Sequence, residues 1–312
     1  MTRFTLEALG PFSLSASARF LEGFAPAAFT GNAGEPLELA FPVEGSWQSV
    51  GVRVRQRGDR VVGEVVSPRS LEPGVVDAVR AQVQRILSLD VDGSDFAAVG
   101  QRDEVVARLQ RRYPGLRPVG FWSPYEAAAW AIIGQRIRIS QAAAVKSRMA
   151  EELGEPVDLG DRVVHAFPPP ERLAELGGFP GLLGRKLEWL RAVASAAIQG
   201  RLDAAHLRAL PPEEALSELQ QLPGIGPFSA ELVLLRGAGY PDCVPQHEPR
   251  LGRALVAAYG VARPPRGDHL RRITDVWRPY RTWVTVLLRT QLEDETGEIA
   301  GEPPATGGRR GL

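Results

Sequence analysis

Leu222-Pro-Gly-Ile-Gly-Pro-Phe-Ser-Ala230 is the stretch of this sequence that says most about its fold. Residues 212–221 before it carry apolar side chains at helical spacing, and Pro223 with the two glycines ends that pattern. Pro227 stands where a new helix can begin, because proline is favoured at the first helical position. The sequence therefore predicts a helix, a tight Gly-Ile-Gly hairpin and a second helix.

Such a hairpin has the properties of an anion-binding site. Glycine lacks a Cβ, so the backbone at Gly224 and Gly226 can approach a ligand closely. The start of the following helix offers N–H groups and the positive end of its dipole. A phosphate of the DNA backbone is the natural ligand, held without any reading of base sequence. The alternative is a plain connection between two helices, but the complete motif with helices on both sides favours DNA.

Composition sets the class of protein but does not name a partner. The chain has 312 residues, 44% of them hydrophobic and 24% charged, as in a soluble globular protein of two or three domains. Its net charge of +0 gives no sign of nucleic-acid binding, yet it leaves room for an enzyme that contacts a few phosphates. Lys146 and Lys186 are the only lysines, so the positive charge is almost entirely arginine.

The single cysteine, Cys243, excludes an internal disulfide and any all-cysteine metal or iron–sulfur site within this sequence. The N-terminal residues lack the apolar core of a signal peptide, and no apolar run is long enough to span a membrane. We therefore expect a protein of the bacterial-type cytosol and nucleoid, with no membrane partner.

The pattern along the chain predicts an α+β fold. Residues 1–70 are β-rich: residues 49–56 and 60–66 alternate like strands, and Arg57-Gly-Asp59 between them is a turn. Residues 71–301 are predicted to be mainly α-helical, in two subdomains that include the hairpin at residues 222–230. The Pro/Gly/Arg-rich tail, residues 302–312, has no apolar periodicity and is predicted to be disordered.

Helical spacing predicts several helices in the second part of the chain. Ser123-Pro-Tyr-Glu126 is typical of a helix start, with serine as N-cap, and the residues after it are apolar on nearly every face. The remaining predicted helices cover residues 75–89, 139–153, 183–199, 212–221, 227–236, 249–259 and 277–292.

Three segments together resemble the helix-hairpin-helix–Gly/Pro/Asp superfamily of DNA glycosylases. Beside the hairpin, Ala131-Ile-Ile-Gly-Gln-Arg136 is similar to the family's Ile-Leu-Gly-Gln stretch, and Phe179-Pro-Gly-Leu-Leu-Gly-Arg-Lys186 to its Gly-Arg-Lys segment. Within the superfamily the chain resembles the 3-methyladenine glycosylase II group, which acts on alkylated bases. That resemblance implies a β-rich N-terminal domain followed by two helical subdomains, and double-stranded damaged DNA as partner of a monomeric enzyme.

The resemblance also implies a catalytic carboxylate after the second hairpin helix. Cleavage of an N-glycosidic bond builds positive charge on the deoxyribose, which a carboxylate can stabilise, or it can orient a water. The family's aspartate position, counted from Leu222, falls on Glu248, so a longer acidic side chain replaces the expected one. Either Glu248 does the aspartate's work, with His247 as a possible assistant, or it is a helix-start carboxylate of a catalytically weak DNA-damage-binding protein.

Other family positions carry over residue by residue. Members that also cut the strand use a lysine where this chain has Phe228, so the resemblance implies a monofunctional hydrolase. Phe228 is also a candidate for the pocket that receives the extruded base, as is Trp277 with Tyr280. Gln135 stands at the family's position for a contact with the orphan base, the base left without its partner. Arg136 stands at the position of the wedge, the side chain that fills the gap left by the extruded base. For each aromatic residue the alternative is core packing. For Gln135 it is the cap of a buried turn, and for Arg136 it is an exposed arginine that contacts nothing.

The hairpin contact itself is assigned to Leu222, Gly224, Ile225, Gly226 and Ser229. Hairpins of this family hold a monovalent cation, Na⁺ or K⁺, with main-chain carbonyls, which here would be those of Gln220, Leu222 and Ile225. Nothing in the sequence suggests another cofactor or a catalytic metal.

Overall fold

A computed structural model describes residues 2–22 and 36–297 of the chain. The predicted disordered tail lies outside these residues. Within them, no helix combines the length and apolar character needed to cross a membrane.

An antiparallel sheet of four strands forms the N-terminal part, in the order β1-β4-β3-β2. The predicted turn between the strands at residues 49–56 and 60–66 is confirmed. Arg57 pairs with Arg60 across a two-residue turn, in which Gly58 has a φ of +64°. Val52 and Val54 are fully buried, because alternate side chains of a strand face the same side. The four strands are β1 (Thr2–Glu7), β2 (Leu37–Pro42), β3 (Ser49–Arg57) and β4 (Arg60–Val66).

Helices make up most of the remaining described chain. The helix after β1 is α1 (Leu14–Glu22), and the first helices after the sheet are α2 (Val75–Ile86), α3 (Phe96–Arg102), α4 (Glu104–Arg112), α5 (Pro124–Ile133) and α6 (Ile139–Leu153). A short strand pair follows, β5 (Pro156–Asp158) and β6 (Val163–His165). The later helices are α7 (Pro170–Ala174), α8 (Lys186–Ile198), α9 (Ala204–Ala209), α10 (Pro212–Gln220), α11 (Pro227–Leu232), α12 (Pro249–Tyr259), α13 (Gly267–Thr274) and α14 (Arg281–Thr296). The predicted α+β class is confirmed.

Local signals place several helix ends well. The Ser123 hydroxyl accepts the N–H of Glu126 at 3.0 Å, as the sequence pattern predicts for an N-cap. The helix that it caps, α5, is buried on almost every side and forms the centre of a large apolar core with α8 and the hairpin helices.

Two predicted helices differ from the structure. The helix predicted over residues 277–292 instead begins at Arg281, because Pro279 has no N–H to donate and disfavours helical backbone at Arg278 before it. The second hairpin helix is regular only to Leu232 and continues as a π turn, Val233–Gly237, in which Ala238 N–H donates to Val233 O at 2.8 Å.

Three apolar cores organise the described residues. One lies between the sheet and α2, the second surrounds α5, and the third joins α3 and α4 to α12 and α14. The second core contains the hairpin, whereas the third contains the start of α12. A cleft between α11 and α14 separates these two helical cores.

Candidate active site

The hairpin is anchored by its own apolar residues. Leu222 and Ile225 are each 4% exposed and belong to the core around α5. Ile225 N–H donates to Leu222 O at 3.0 Å and closes the turn. Ser229 is buried as well, so the side chains of these three predicted contact residues face the protein. Any contact of the hairpin with a ligand therefore falls to its backbone.

The fold requires glycine at only one of the two hairpin glycine positions. Gly224 has a φ of +83°, and a Cβ on it would lie 2.6 Å from the indole of Trp189. Gly226 has a φ of −91°, and a Cβ on it would meet nothing within 4 Å. The fold thus needs glycine at position 224, whereas at position 226 it leaves open space beside the start of α11.

The predicted wedge segment lies next to the hairpin. Arg136 is exposed in the turn between α5 and α6, with a φ of +56° that non-glycine residues rarely adopt. Gln135 donates from Nε2 to the carbonyl of Gly224 at 2.7 Å, which ties this turn to the hairpin. Lys186, buried at the start of α8, donates to Ile133 O at 2.8 Å and fixes the end of α5.

Glu248 is the N-cap of α12 and lines the cleft. Its Oε1 accepts the N–H of Arg250 at 3.1 Å, while Oε2 lies 3.2 Å from Nη1 of Arg289. The side chain is 9% exposed. The position of Glu248 therefore fits both interpretations of this residue. Its carboxylate caps a helix, and it also borders the cleft.

Glu231 holds the loop that carries Glu248. This α11 side chain is 5% exposed and accepts the backbone N–H groups of Gln246 at 2.8 Å and His247 at 2.9 Å. It also lies 2.8 Å from Nδ1 of His247, whose ring is otherwise largely exposed. No role was predicted for Glu231 from the sequence, although a lone acidic residue in an apolar helix is a visible signal.

The cleft brings together residues from three parts of the chain. Phe228 is 44% exposed and belongs to α11, opposite Thr282 and Thr285 of α14. The full lining is Phe228, Glu231, Leu232, Leu235, Arg236, Pro245, Glu248, Thr282, Thr285, Val286 and Arg289. Its volume of about 30 Å³ has room for water next to Glu248.

A larger cavity of about 370 Å³ adjoins this cleft. Arg236, Val286 and Arg289 line both spaces and so form the wall between them. The larger cavity falls within the size range of small-molecule sites, whereas the cleft does not. A base could reach the full space beside Glu248 only if side chains of this wall or at its mouth move.

Trp277 and Tyr280 do not line the cleft. Both are buried in the third core, and Trp277 donates from Nε1 to Asp103 at 3.0 Å and to Tyr259 Oη at 3.2 Å. Tyr280 donates its hydroxyl to Asp92 O at 2.7 Å. Since both rings pack inside the protein with their polar atoms paired, we exclude them from the candidate site.

Leu222 O is one of the three carbonyls suggested for a monovalent cation, and it also takes part in closing the hairpin turn. Leu222 O accepts one hydrogen bond, from Ile225, and a carbonyl oxygen has a second lone pair. Among the residues that the structure describes, no cluster of histidine, cysteine, aspartate and glutamate could hold a metal ion.

Known proteins resemble this chain in sequence and in architecture. No family model matches the chain. A DNA-3-methyladenine glycosylase of Bacillus subtilis is 24% identical over 243 residues, 77% of this chain and 80% of that protein. A probable bifunctional transcriptional activator/DNA repair enzyme AlkA of Mycobacterium tuberculosis is 32% identical over 219 residues, which cover 68% of this chain and 42% of that longer protein.

Solved structures show the same fold. A 3-methyladenine DNA-glycosylase from Archaeoglobus fulgidus matches with a TM-score of 0.74 at 22% identity, over 93% of this chain and 98% of that one. An 8-oxoguanine glycosylase/lyase of Clostridium acetobutylicum in complex with double-stranded DNA matches with a TM-score of 0.60 at 17% identity, over 81% and 86% of the two chains.

The hairpin, the α+β architecture and these likenesses define the class: together they support a DNA glycosylase of the helix-hairpin-helix type. Within that class the chain is similar in sequence to DNA-3-methyladenine glycosylases, as the motifs in its sequence indicate.

Proposed function

We propose that the chain is a monofunctional DNA glycosylase that removes alkylated purines, of the 3-methyladenine type, from double-stranded DNA and leaves an abasic site. The observation that carries this proposal is the position of Glu248 in a cleft beside the hairpin helix. The names of the relatives supply the class of lesion.

Binding to DNA is assigned to the hairpin and the turn next to it. The backbone at Gly226 and the first N–H groups of α11 would hold a phosphate, because open space lies where a side chain would otherwise stand. Exposed Arg136, in the turn that Gln135 ties to the hairpin, would fill the gap left by the extruded base. A monovalent cation at the hairpin carbonyls would support the same phosphate contact.

The reaction proposed is hydrolysis at the anomeric carbon. The bond between this carbon and the base nitrogen breaks, and its electron pair leaves with the base. The oxygen of a water molecule bonds to the carbon, and Glu248 accepts the proton that the water loses. While the sugar carries positive charge, the same carboxylate stabilises it. Phe228 at the mouth offers an aromatic surface on which the extruded base can stack.

The monofunctional assignment rests on where the lysines are. A strand-cutting enzyme of this superfamily needs an amine for a Schiff base. The chain has only Lys146 and Lys186. Lys146 forms a buried ion pair with Glu126 at 2.6 Å, and Lys186 is buried against the end of α5. Neither residue lines the cleft, so no lysine is placed to attack the sugar there.

A second candidate function is a DNA-damage-binding protein with weak catalysis. The observation in its favour is that Arg289 and the N–H of Arg250 already engage both oxygens of Glu248. These contacts hold the carboxylate in place, and they also reduce what it can offer to a developing positive charge.

Turnover on duplexes that each contain one defined lesion distinguishes the two functions. We expect the parent protein to release base and Glu248→Gln to do so about 100-fold more slowly, as for loss of a general base. Glu171→Gln removes an exposed carboxylate from the first turn of α7 and should leave the rate unchanged. An inactive parent that gains activity through Glu248→Asp would instead identify the binding protein, and equal rates for parent and Glu248→Gln would exclude Glu248 from catalysis.

A further inference from the structure

His247 stands at the rim of the cleft, directly before the carboxylate that is proposed to act on the sugar. Pro245 and Glu248, on either side of it in the chain, line the cleft, whereas the His247 ring lies outside the lining. The His247 side chain is 54% exposed. The ring therefore does not face the space that a base would enter. It faces whatever passes over the mouth of the cleft.

Glu231 holds this ring in one orientation. Its Oε1 lies 2.8 Å from Nδ1 of His247, and its Oε2 accepts the backbone N–H of the same residue at 2.9 Å. A carboxylate only accepts hydrogen bonds, so Nδ1 is the donor of this pair. The other ring nitrogen, Nε2, has no partner among the described residues. Because one buried side chain fixes both the backbone and the ring, little freedom is lost when a ligand binds at Nε2.

The free nitrogen of His247 suits an anion of the DNA backbone. That backbone offers oxygen acceptors and no hydrogen-bond donors, so a ring that binds it must donate from Nε2. Since Nδ1 already donates to Glu231, a second N–H at Nε2 makes the ring a cation. A phosphate at Nε2 and the carboxylate of Glu231 both favour that charged form. The hydrogen bond to the phosphate is then charged at both ends, which makes it a strong one.

We propose that His247 binds a phosphate of the extruded nucleotide and so positions the sugar against Glu248. The inference rests on the proposed function and adds a positioning residue to it. Phosphates are joined to the sugar on both sides, and His247 is the chain neighbour of Glu248, so a sugar that meets Glu248 brings a phosphate to the ring. Fixing the sugar in this way favours the geometry for reaction. A nucleotide still stacked in the duplex does not make the contact, so His247 raises the rate of base release more than the affinity for DNA.

The test removes the two partners of this contact one at a time and then together. His247→Gln keeps an amide that can pair with Glu231 but carries no charge. In the DNA, a methylphosphonate replaces one charged phosphate oxygen by a methyl group, either 5′ or 3′ of a single alkylated purine or at a distant phosphate of the same strand. Base release by the full chain is measured in single turnover at saturating protein, with spontaneous release subtracted. If the two partners touch, their effects are not independent.

We expect His247→Gln to release base about tenfold more slowly than the parent, as for the loss of a charged hydrogen bond. A methylphosphonate on one side of the lesion should slow the parent by a similar factor and His247→Gln by about twofold or less. The distant methylphosphonate should slow both proteins equally. His165→Gln makes the same change at an exposed histidine of β6 and should leave the rate unchanged. Thermal unfolding of each variant confirms that it is folded.

An unchanged rate in His247→Gln would overturn the inference while leaving the proposed function intact. So would equal slowing of the parent and His247→Gln by every methylphosphonate, because the histidine would then act only through the structure of its loop. If the parent releases no base from any alkylated duplex, the proposed function is wrong. The contact is then measured by binding to a duplex with a stable abasic analogue, whose sugar can leave the helix. Coupling between His247→Gln and a flanking methylphosphonate supports the inference there, and independent effects contradict it.

Discussion

The hairpin and the loop that carries Glu248 are held in place by different forces. In the hairpin, Leu222 and Ile225 are buried in a core and Gly224 lies against Trp189, so packing sets the backbone. In the loop, the backbone at Gln246 and His247 is held by one carboxylate from another helix. The comparison shows that one half of the candidate site is positioned by apolar burial and the other half by a few charged hydrogen bonds.

The largest effect is expected where packing is tightest. Gly224→Ala forces a positive φ on an alanine and places its Cβ within 2.6 Å of the Trp189 ring, so unfolding free energy should fall by about 3 kcal/mol. Chemical denaturation measures this. Gly226→Ala is the matched control, expected within about 0.5 kcal/mol of the parent because its Cβ meets open space. Similar losses in both variants would contradict the different roles given to the two glycines.

The next effect tests the assignment of Trp277 to the core. Trp277→Phe leaves a void and removes the donor to Asp103 and Tyr259, which should lower unfolding free energy by about 2 kcal/mol. Base release, measured well below the unfolding temperature, should stay within about twofold of the parent, because Trp277 does not line the cleft. Loss of a contact within the site would lower the rate by more than that. A folded variant with strongly reduced release would return Trp277 to the candidate site.

A change in the loop that carries Glu248 should lower the rate of base release more than the stability of the protein. Glu231→Gln offers one oxygen where the carboxylate offers two, so it cannot accept all of the Gln246 and His247 donors. We expect about 1 kcal/mol less stability and a roughly tenfold lower rate of base release, because Glu248 shifts. DNA affinity should change little. Glu214→Gln, an exposed change on α10, is the control.

Single-turnover rates at saturating protein, together with binding measured separately, separate the two effects in Glu231→Gln. If affinity fell while the rate of base release held, Glu231 would act on DNA binding and its role in positioning Glu248 would be excluded.

Elements with a local cause could be predicted from the sequence. The Ser123 cap, the Gly58 turn and the break at Pro223 each depend on neighbours within a few residues, so the sequence pattern already contains them. The strands β5 and β6 are three residues each, too short for periodicity to appear. The helix predicted from Trp277 begins only after Pro279, because the prediction followed the apolar spacing and gave too little weight to the proline.

The candidate site was only partly predictable. Position along the chain led to Phe228 and Glu248, and both line the cleft. It also led to Trp277 and Tyr280, which are aromatic like Phe228 but pack in the third core. Arg236 and Arg289 were missed, although each is a charged residue within a buried helical run, because their meeting depends on how α11 and its π turn face α14.

By itself, the sequence determined the hairpin, the class of fold and the acidic residue at position 248, since glycine and proline geometry and helical periodicity act over short distances. The tertiary structure decided what surrounds that carboxylate. Glu231 and Arg289 lie far from each other along the chain, yet they hold the loop and the side chain of Glu248 from opposite walls of one cleft. Burial in that cleft strengthens their electrostatic effect, and burial is a property of the packed helices rather than of any one segment.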